Sequence, residues 1–309
     1  MALAEPEVIA CPPEERVAAL GILYRRVSAS LRPRLVADAV QEAEAGTIDL
    51  SGLWIARRRG RVVGTLLTQT LAGRAAAVWA PEVEGAWRRS ATAVALVRAA
   101  LANLSARGFR VAQALLDDSA PRHAAADLTA GGMPRVTDLL YLERDTALPL
   151  AVAPGVPLID WQGLTHATEA DFRAVLQGTY AASLDMPELE GVRSLDDILA
   201  SHRAGGRFAP ERWQVGHVRG EPEAAAVLLL SELPDRDAWE VAYLGLTVPA
   251  RGRGLGRAVL AHAIDLAAPY VGRIELAVDL RNTPAHALYR LAGMTPFDRR
   301  AVHLAMLHP

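Results

Sequence analysis

The stretch "VPARGRGLGRAVL", Val248 to Leu260, decides how this chain is read. Three glycines (Gly252, Gly254, Gly256) are interleaved with arginines (Arg251, Arg253, Arg257), and an apolar run follows. Glycine reaches backbone conformations closed to other residues and lets a ligand approach main-chain N–H groups closely. Periodicity places a helix from Gly254 to Ala268, so its first unpaired N–H groups and its dipole point into the same turn. Together these make an anion site, for which phosphate is the usual occupant. Two common phosphate motifs do not fit. No Lys-Ser or Lys-Thr follows the glycines, as a P-loop requires. The G-x-G-x-G spacing, on a strand late in its domain, also departs from the dinucleotide fingerprint. An Arg/Gly tract for RNA would be a flexible tail rather than a link between strand and helix. The residues alone leave an anion-binding turn and a solvated turn without ligand both open.

Outward from that turn, the second half alternates strand and helix patterns. "LIDWQGLT" reads as a strand. "TEADFRAVLQGTY" reads as a helix with Thr168 as its cap, and "SLDDILASHRAGG" as a helix capped by Ser194 and ended by Gly205. "WQVGHV" and "AAVLLLSE" form a hairpin, and "WEVAYLGLTV" is the strand that feeds the glycine turn. "RIELAVDL" is a strand, "TPAHALYRLAG" a helix with Pro284 in its first turn, and "AVHLAML" a final strand. The first half repeats this order more weakly: two helical stretches, a hairpin with Gly60 at its tip, the strand "RAAAVWA", a long helix, the strand "FRVAQALLD", a short helix and the strand "LLYLERD". Recurrence of one order of elements points to duplication. The Pro-rich "LPLAVAPGVP" marks a boundary near residue 150, giving domains 1–149 and 150–309.

Bulk composition fits this plan. The 309 residues are 51% hydrophobic and 22% charged, with a net charge of −2, which supports buried cores and argues against broad nucleic-acid binding. Every basic side chain other than histidine is arginine, a bias we ascribe to a GC-rich bacterial genome. Cys11 stands alone beside Pro12 and Pro13, so an internal disulfide and a multi-cysteine zinc site are excluded. The N-terminal "MALAEPEVIACPPEER" lacks the pattern of a signal peptide, and no apolar run is long enough to span a membrane. The expected compartment is the cytoplasm.

Arg251-Gly252-Arg253-Gly254-Leu255-Gly256 fits R/Q-x-x-G-x-G/A, and downstream "NTPAHALY", Asn282 to Tyr289, fits N-x-x-A-x-x-L-Y, with Gly293-Met294 following. In these motifs, their order and their flanking elements, residues 155–309 resemble the GNAT superfamily of N-acetyltransferases. The resemblance implies a mixed α/β fold, α+β with a mixed sheet, in two tandem GNAT domains of which the first is degenerate. It implies acetyl-CoA as acyl donor, no metal, and a small-molecule or peptide amine as acceptor, in a monomer or homodimer with no membrane or nucleic-acid partner. By resemblance, the segment Leu246, Thr247 and Val248 lines the pantetheine arm. The main chain of Leu246 and Val248 bonds the arm, and the Val248 amide polarises the acetyl carbonyl. The main chain of Arg251, Gly252, Arg253, Gly254, Leu255 and Gly256, with Arg257, holds the pyrophosphate. Asn282 orients the coenzyme arm or caps its helix, and Tyr289 protonates the leaving thiolate.

The attacking amine must lose a proton. Glu240, on the strand before the glycine turn, occupies about the place of the family's catalytic glutamate. On a strand of period 2 it shares a face with Ala242, Leu244 and Leu246, where an apolar setting raises a carboxyl toward neutrality. His217, His262 and His286 read as structural. Asp185, Glu188, Glu190, Asp196, Asp197, Glu232, Asp235 and Asp237 make the acceptor side acidic. They either steer a cationic amine or are solvated carboxylates of loops and helix starts. In the first half the corresponding loop, "WAPEVEGAWRRSATAV", keeps only Gly85 and adds Glu82 and Glu84, which repel a pyrophosphate. A coenzyme A sensor without turnover, and a scaffold binding some other phosphate, are the alternatives to an enzyme.

Overall fold

In the computed structural model, residues 6–86 and 88–308 are described. The N-terminal reading at residues 1–5 and the Trp87 position of the first-half loop lie outside the described residues. The chain divides into two compact units, residues 1–136 with 300–309, and residues 137–299.

The first unit runs β1 (Glu7–Ala10), α1 (Arg16–Leu23), α2 (Arg32–Glu44), β2 (Leu53–Arg58), β3 (Arg61–Leu71), β4 (Ala75–Val78), β5 (Glu82–Val83), α3 (Arg89–Ala106), β6 (Val111–Leu116) and α4 (Ala124–Gly131). Its sheet order is β1-β2-β3-β4-β6, with β5 on β3 and residues 301–306 antiparallel to β6. The β2–β3 hairpin turns at Arg59 and Gly60, both at positive φ, the primed geometry that matches strand twist. Leu96, Val97, Ala100 and Leu104 of α3 bury one helix face against Leu66, Ala76, Val78 and Ala112 of the sheet. β1 and β5 were not legible in the sequence, being too short to show a period.

The second unit runs β7 (Arg135–Asp145), of which residues 137–145 belong to it, β8 (Ile159–Gly163), α5 (Glu169–Tyr180), α6 (Leu195–Ala204), β9 (Trp213–Val218), β10 (Ala224–Leu233), β11 (Ala238–Leu246), α7 (Leu255–Ala267), β12 (Arg273–Asp279), α8 (Thr283–Leu291) and the start of β13 (Thr295–Met306). The sheet order is β7-β12-β11-β10-β9-β8, antiparallel except for the β11–β12 pair. The units differ from the halves expected at residue 150, for a reason visible in the pairing. Leu139–Asp145 is bonded to Arg273–Asp279 of β12, and Ala301–Met306 to β6, so hydrogen bonding rather than the Pro-rich passage assigns each segment.

Local signals mostly act as read. Ser194 accepts from the Asp197 N–H while the Asp197 carboxylate accepts from the Ser194 N–H, a full capping box for α6. Asn282 accepts from the Ala285 N–H at 3.3 Å and caps α8. Thr168 makes no cap bond to α5; its hydroxyl donates to the Gly163 carbonyl at 2.8 Å and ties the helix start back to β8.

One expectation fails in phase. Leu229 of β10 pairs with Tyr243 and Leu230 with Val241, so Ala242 is an extra residue and β11 carries a bulge there. Trp239, Val241, Leu244 and Leu246 pack toward α7 and α8, whereas Ala242 and Tyr243 both pack toward Phe172, Leu176 and Trp213 under α5 and α6. Glu240 therefore stands opposite Leu244 and Leu246 rather than beside them. The bulge also puts Tyr243 over Gly245, where a Cβ would lie 2.6 Å from the Tyr243 ring and 2.7 Å from the Thr179 side chain. Gly245→Ala is expected to cost about 1–3 kcal/mol through overpacking, read as a lower urea midpoint at unchanged slope.

Candidate active site

β11 and β12 are parallel, yet they pair only from Ala238–Arg273 to Glu240–Glu275. Beyond Glu240 the strands separate, and the main chain of 241–246 has no strand partner on that side. The other edge of β11 remains zipped to β10 as far as Leu246–Ala226. The result is a fork whose β11 wall is unpaired backbone.

The glycine turn closes one end of this fork. Val248–Ala250 forms a short 3-10 turn, Gly252 and Gly254 take φ of 74° and 78°, and Gly254 precedes α7 as its N-cap. Among the described residues, no main-chain N–H from Gly252 to Gly256 has a hydrogen-bond acceptor, while those of Ala250, Arg251 and Arg257 do. A run of free N–H groups at a helix N-terminus is an anion cradle. Gly256 serves packing instead: its missing Cβ would lie 3.2 Å from Leu288 of α8.

The three arginines have other work. The Arg251 guanidinium donates to the carbonyls of Thr179 (2.9 Å), Ala181 (2.9 Å), Ala182 (3.0 Å) and Leu246 (3.2 Å), fastening the end of α5 to the end of β11. Arg253 pairs with Glu221 at 2.5 Å. Arg257 donates to the Ala151 carbonyl at 2.7 Å and the Leu291 carbonyl at 3.3 Å. The cradle is thus main chain, held in shape by arginine side chains.

On the facing helix, Tyr289 is 8% exposed and packs in the core that α7 and α8 share with β11 and β12. Its hydroxyl has no hydrogen-bond partner among the described residues. Burial pushes its pKa up, with the charges of Asp185 and Tyr243 adding to the shift, so the phenol stays protonated at neutral pH. Tyr243 is pushed up to about 12 by burial, and its hydroxyl lies 2.9 Å from that of Thr179.

Glu240 is half-buried beside Glu275, its register partner. Glu275 is 3% exposed, and its carboxylate meets Arg236 at 3.0 Å. Burial and then the Glu275 charge raise the Glu240 carboxyl, against the pull of Arg236. Three of the acceptor-side acids are ion-paired: Arg173 pairs with Asp196, Arg207 and Arg212 with Glu232, and Arg281 with Glu188 at 2.5 Å; Arg281 also meets Asp279 at 2.7 Å. Asp279 is fully buried at the end of β12 and accepts from Thr137, Arg281 and the Met186 N–H. Burial alone would raise it, but the bonds from Arg281 and Thr137 prevail and hold it below the usual range. Asp279, Arg281, Tyr243, Thr179 and His202 were missed in the sequence, because no spacing rule joins the ends of α5 and β12 to a bulge in β11. Of the histidines read as structural, His262 stacks on Trp161 and meets Gln214 at 2.7 Å.

The first unit repeats the fork between parallel strands. β4 and β6 pair in parallel only from Ala75–Val111 to Ala77–Gln113, and a cavity of about 450 Å³ opens beyond, bordered by Val78, Trp79, Glu82, Leu115 and Asp117. In its strand-to-helix loop, Glu82 and Val83 form β5 on β3, and the Glu84 N–H bonds the Val63 carbonyl. Glu82 is 6% exposed and pairs with Arg26 at 2.5 Å, so its charge is already matched rather than free to repel an anion.

Splayed parallel strands, a main-chain anion cradle and a buried tyrosine on the next helix come together in the second unit. Residues 181–294 match the Acetyltransferase (GNAT) family. The chain is 34% identical over 192 residues to the mycothiol acetyltransferase of Beutenbergia cavernae, covering 58% of this chain and 61% of that protein. This chain thus matches about three fifths of that relative's length. A GCN5-related N-acetyltransferase from Sphaerobacter thermophilus superposes with a TM-score of 0.60 at 17% identity, covering 100% of this chain and 98% of that one. A tandem GNAT protein from the clavulanic acid biosynthesis pathway superposes with a TM-score of 0.50 at 18% identity, covering 99% of each. These likenesses establish the tandem fold. Among the described residues no helix is long and apolar enough to cross a membrane.

Two outcomes follow from this geometry. Arg251→Ala frees carbonyls at two element ends and is expected to cost about 2 kcal/mol in urea unfolding, whereas Arg253→Ala leaves stability unchanged. His202 of α6 packs near Trp213 and Tyr243, and burial, aided by Arg193, lowers it to about 4. The unfolded chain takes up its proton near pH 6.5 and the folded one only near 4, so this contribution to stability falls as pH drops through that window. The stability advantage of wild type over His202→Gln is therefore expected to shrink between pH 7 and pH 4.5 in paired urea titrations.

Proposed function

We propose that the second unit transfers acetyl from acetyl-CoA to a primary amine of a small molecule or peptide, by direct attack within a ternary complex. The observation that carries this reading is the continuity of fork, cradle and phenol. The β11–β12 gap fits the amide-bearing arm, the N–H groups of Gly252–Gly256 fit the pyrophosphate, and the Tyr289 hydroxyl is free for the sulfur. The name of the Beutenbergia cavernae relative supports acetyl as the group moved.

In this mechanism Leu246, Thr247 and Val248 line the arm, and the Val248 N–H polarises the thioester carbonyl. The amine nitrogen attacks the carbonyl carbon, the C–S bond breaks as the adduct collapses, and Tyr289 gives its proton to the thiolate. A carboxylate on the acceptor side takes the amine's proton, and Glu240, with its raised carboxyl, is the one the family resemblance indicates. Asn282 acts by capping α8, which fixes the helix that carries Tyr289. The first unit, whose loop keeps only Gly85 and pairs Glu82 and Val83 with β3, is assigned no acetyl-CoA.

Thiol release from acetyl-CoA with a panel of primary amines tests the reading. Turnover with at least one amine is expected; coenzyme A binding without turnover of any would reduce the protein to a sensor. Tyr289→Phe is expected to lower kcat about a hundredfold while the Kd for coenzyme A stays within about twofold. An unchanged kcat removes Tyr289 from the acid role.

A further inference from the structure

The proposed base, Glu240, belongs to a row of polar residues that crosses four strands. Ser231 of β10 pairs with Glu240, Glu240 with Glu275 of β12, and Glu275 with Glu143 of β7. Register partners on neighbouring strands, about 4.8 Å apart, send their side chains to the same face of a sheet. Ser231 follows Val227 and Leu229 in the alternation of β10, and those two pack under α5 and α6. The row therefore lies on that face, at the point where β11 and β12 begin to part.

Two atoms of this row are buried without a partner, one on each side of Glu240. Ser231 is 1% exposed, and its hydroxyl makes no hydrogen bond. Gly206 closes over it: a Cβ there would lie 3.0 Å from the Ser231 Cβ. On the other side, Oε2 of Glu275 meets Arg236 at 3.0 Å, and its Oε1 has no donor. Arg236 is held in turn. Its guanidinium lies 4.9 Å from the Phe297 ring centre, and its carbonyl accepts from Arg273 at 2.8 Å. The Glu240 carboxyl has no hydrogen-bond or ion-pair partner among the described residues. An unpaired buried donor or acceptor is costly, so each calls for a partner. Ser231 offers a spare donor and Glu275 a spare acceptor. Glu240, between them, can use both, one in each protonation state: an ionised carboxylate accepts from a hydroxyl, and a protonated one donates to a carboxylate.

We propose that Ser231 and Glu275 are positioning residues for Glu240: the Ser231 hydroxyl donates to the ionised carboxylate that awaits the amine, and the Glu275 carboxylate accepts from Glu240 once it has taken the proton. The proposal rests on the acetyl-transfer reading and deepens it; Glu240 remains the base. The step balances. The nitrogen lone pair forms the C–N bond, the broken N–H bond leaves its electrons on nitrogen, and the proton forms an O–H bond on Glu240, turned toward Glu275. Glu240 later gives that proton to solvent, and solvent restores the one that Tyr289 hands to the thiolate. The charged groups on the elements packed around the row are Glu275 and Arg273 of β12, Glu143 of β7, Arg236 before β11 and Arg207 after α6. Arg273 pairs with Glu143 at 3.4 Å, Arg207 with Glu232 at 3.2 Å, and Asp279 at the far end of β12 with Arg281. That leaves Glu275 and Arg236 to act on Glu240, whose carboxyl is raised by burial and then by the Glu275 charge.

The test is a pH titration of the full chain labelled with carbon-13 at the glutamate carboxyls, the Glu240 resonance being assigned from Glu240→Gln. Glu275→Gln removes the neighbouring charge and is expected to lower the Glu240 midpoint by about one pH unit. Ser231→Ala removes the donor to the ionised form and is expected to raise that midpoint by about half a pH unit. A structural role that merely admits water would lower it in both. Thermal unfolding reports whether each variant folds. Should Glu275→Gln not fold, Arg236→Gln reads the same coupling with the opposite sign, because it strips Glu275 of its counter-charge and raises the midpoint. An unchanged midpoint in the Glu275 or Arg236 variant, or a fall in Ser231→Ala, would overturn the assignment. With an amine that turns over, the acidic limb of kcat/KM is expected to move with the resonance, down in Glu275→Gln and up in Ser231→Ala, at unchanged Kd for coenzyme A. A limb that stays fixed while the resonance moves takes both residues out of the reaction. Because the titration needs neither acetyl-CoA nor amine, failure of acetyl transfer and failure of this pairing are read separately.

Discussion

Two parallel strands that begin paired and do not stay paired govern the second unit. β11 and β12 share hydrogen bonds only from Ala238 to Glu240, and backbone left unpaired inside a sheet is costly unless something satisfies it. The sheet tolerates the gap because each strand is held elsewhere: β11 by β10 along almost its whole length, β12 by β7 from Arg273 to Asp279. The opening is therefore rigid on both sides. Every functional group discussed here is placed relative to it, with the cradle at one end, Tyr289 on the helix after β12, and Glu240 at the fork.

The electrostatics of the site divide between main chain and side chain in a way that charge counting does not reveal. Arg251, Arg253 and Arg257 look like the phosphate ligands, yet their guanidinium groups are bonded to carbonyls and to Glu221. An arginine bonded to several carbonyls fixes backbone geometry, and fixed N–H groups bind an anion without paying to organise themselves. The same economy appears on the acceptor side. Glu188, Asp196 and Glu232 there are each matched by arginine.

The two units show how the same fork can be furnished differently. In the first, β4 and β6 also part after a few residues, but the following loop pairs with β3 and Glu82 closes on Arg26. The loss of glycines there was legible in the sequence, whereas the pairing of Glu82 and Val83 with β3 was not, because a strand that short shows no pattern.

By itself the sequence determined the order of elements, the caps at Ser194 and Asn282, the glycine turn and the candidate acid Tyr289, because these are written in local spacing. Tertiary structure decided which strand belongs to which unit, since that depends on partners distant in the chain: residues 137–145 on β12 and 301–306 on β6. It also decided the facing of Glu240. One extra residue at Ala242 reverses the alternation of β11, and a bulge is a mismatch between two strands that neither strand's sequence contains.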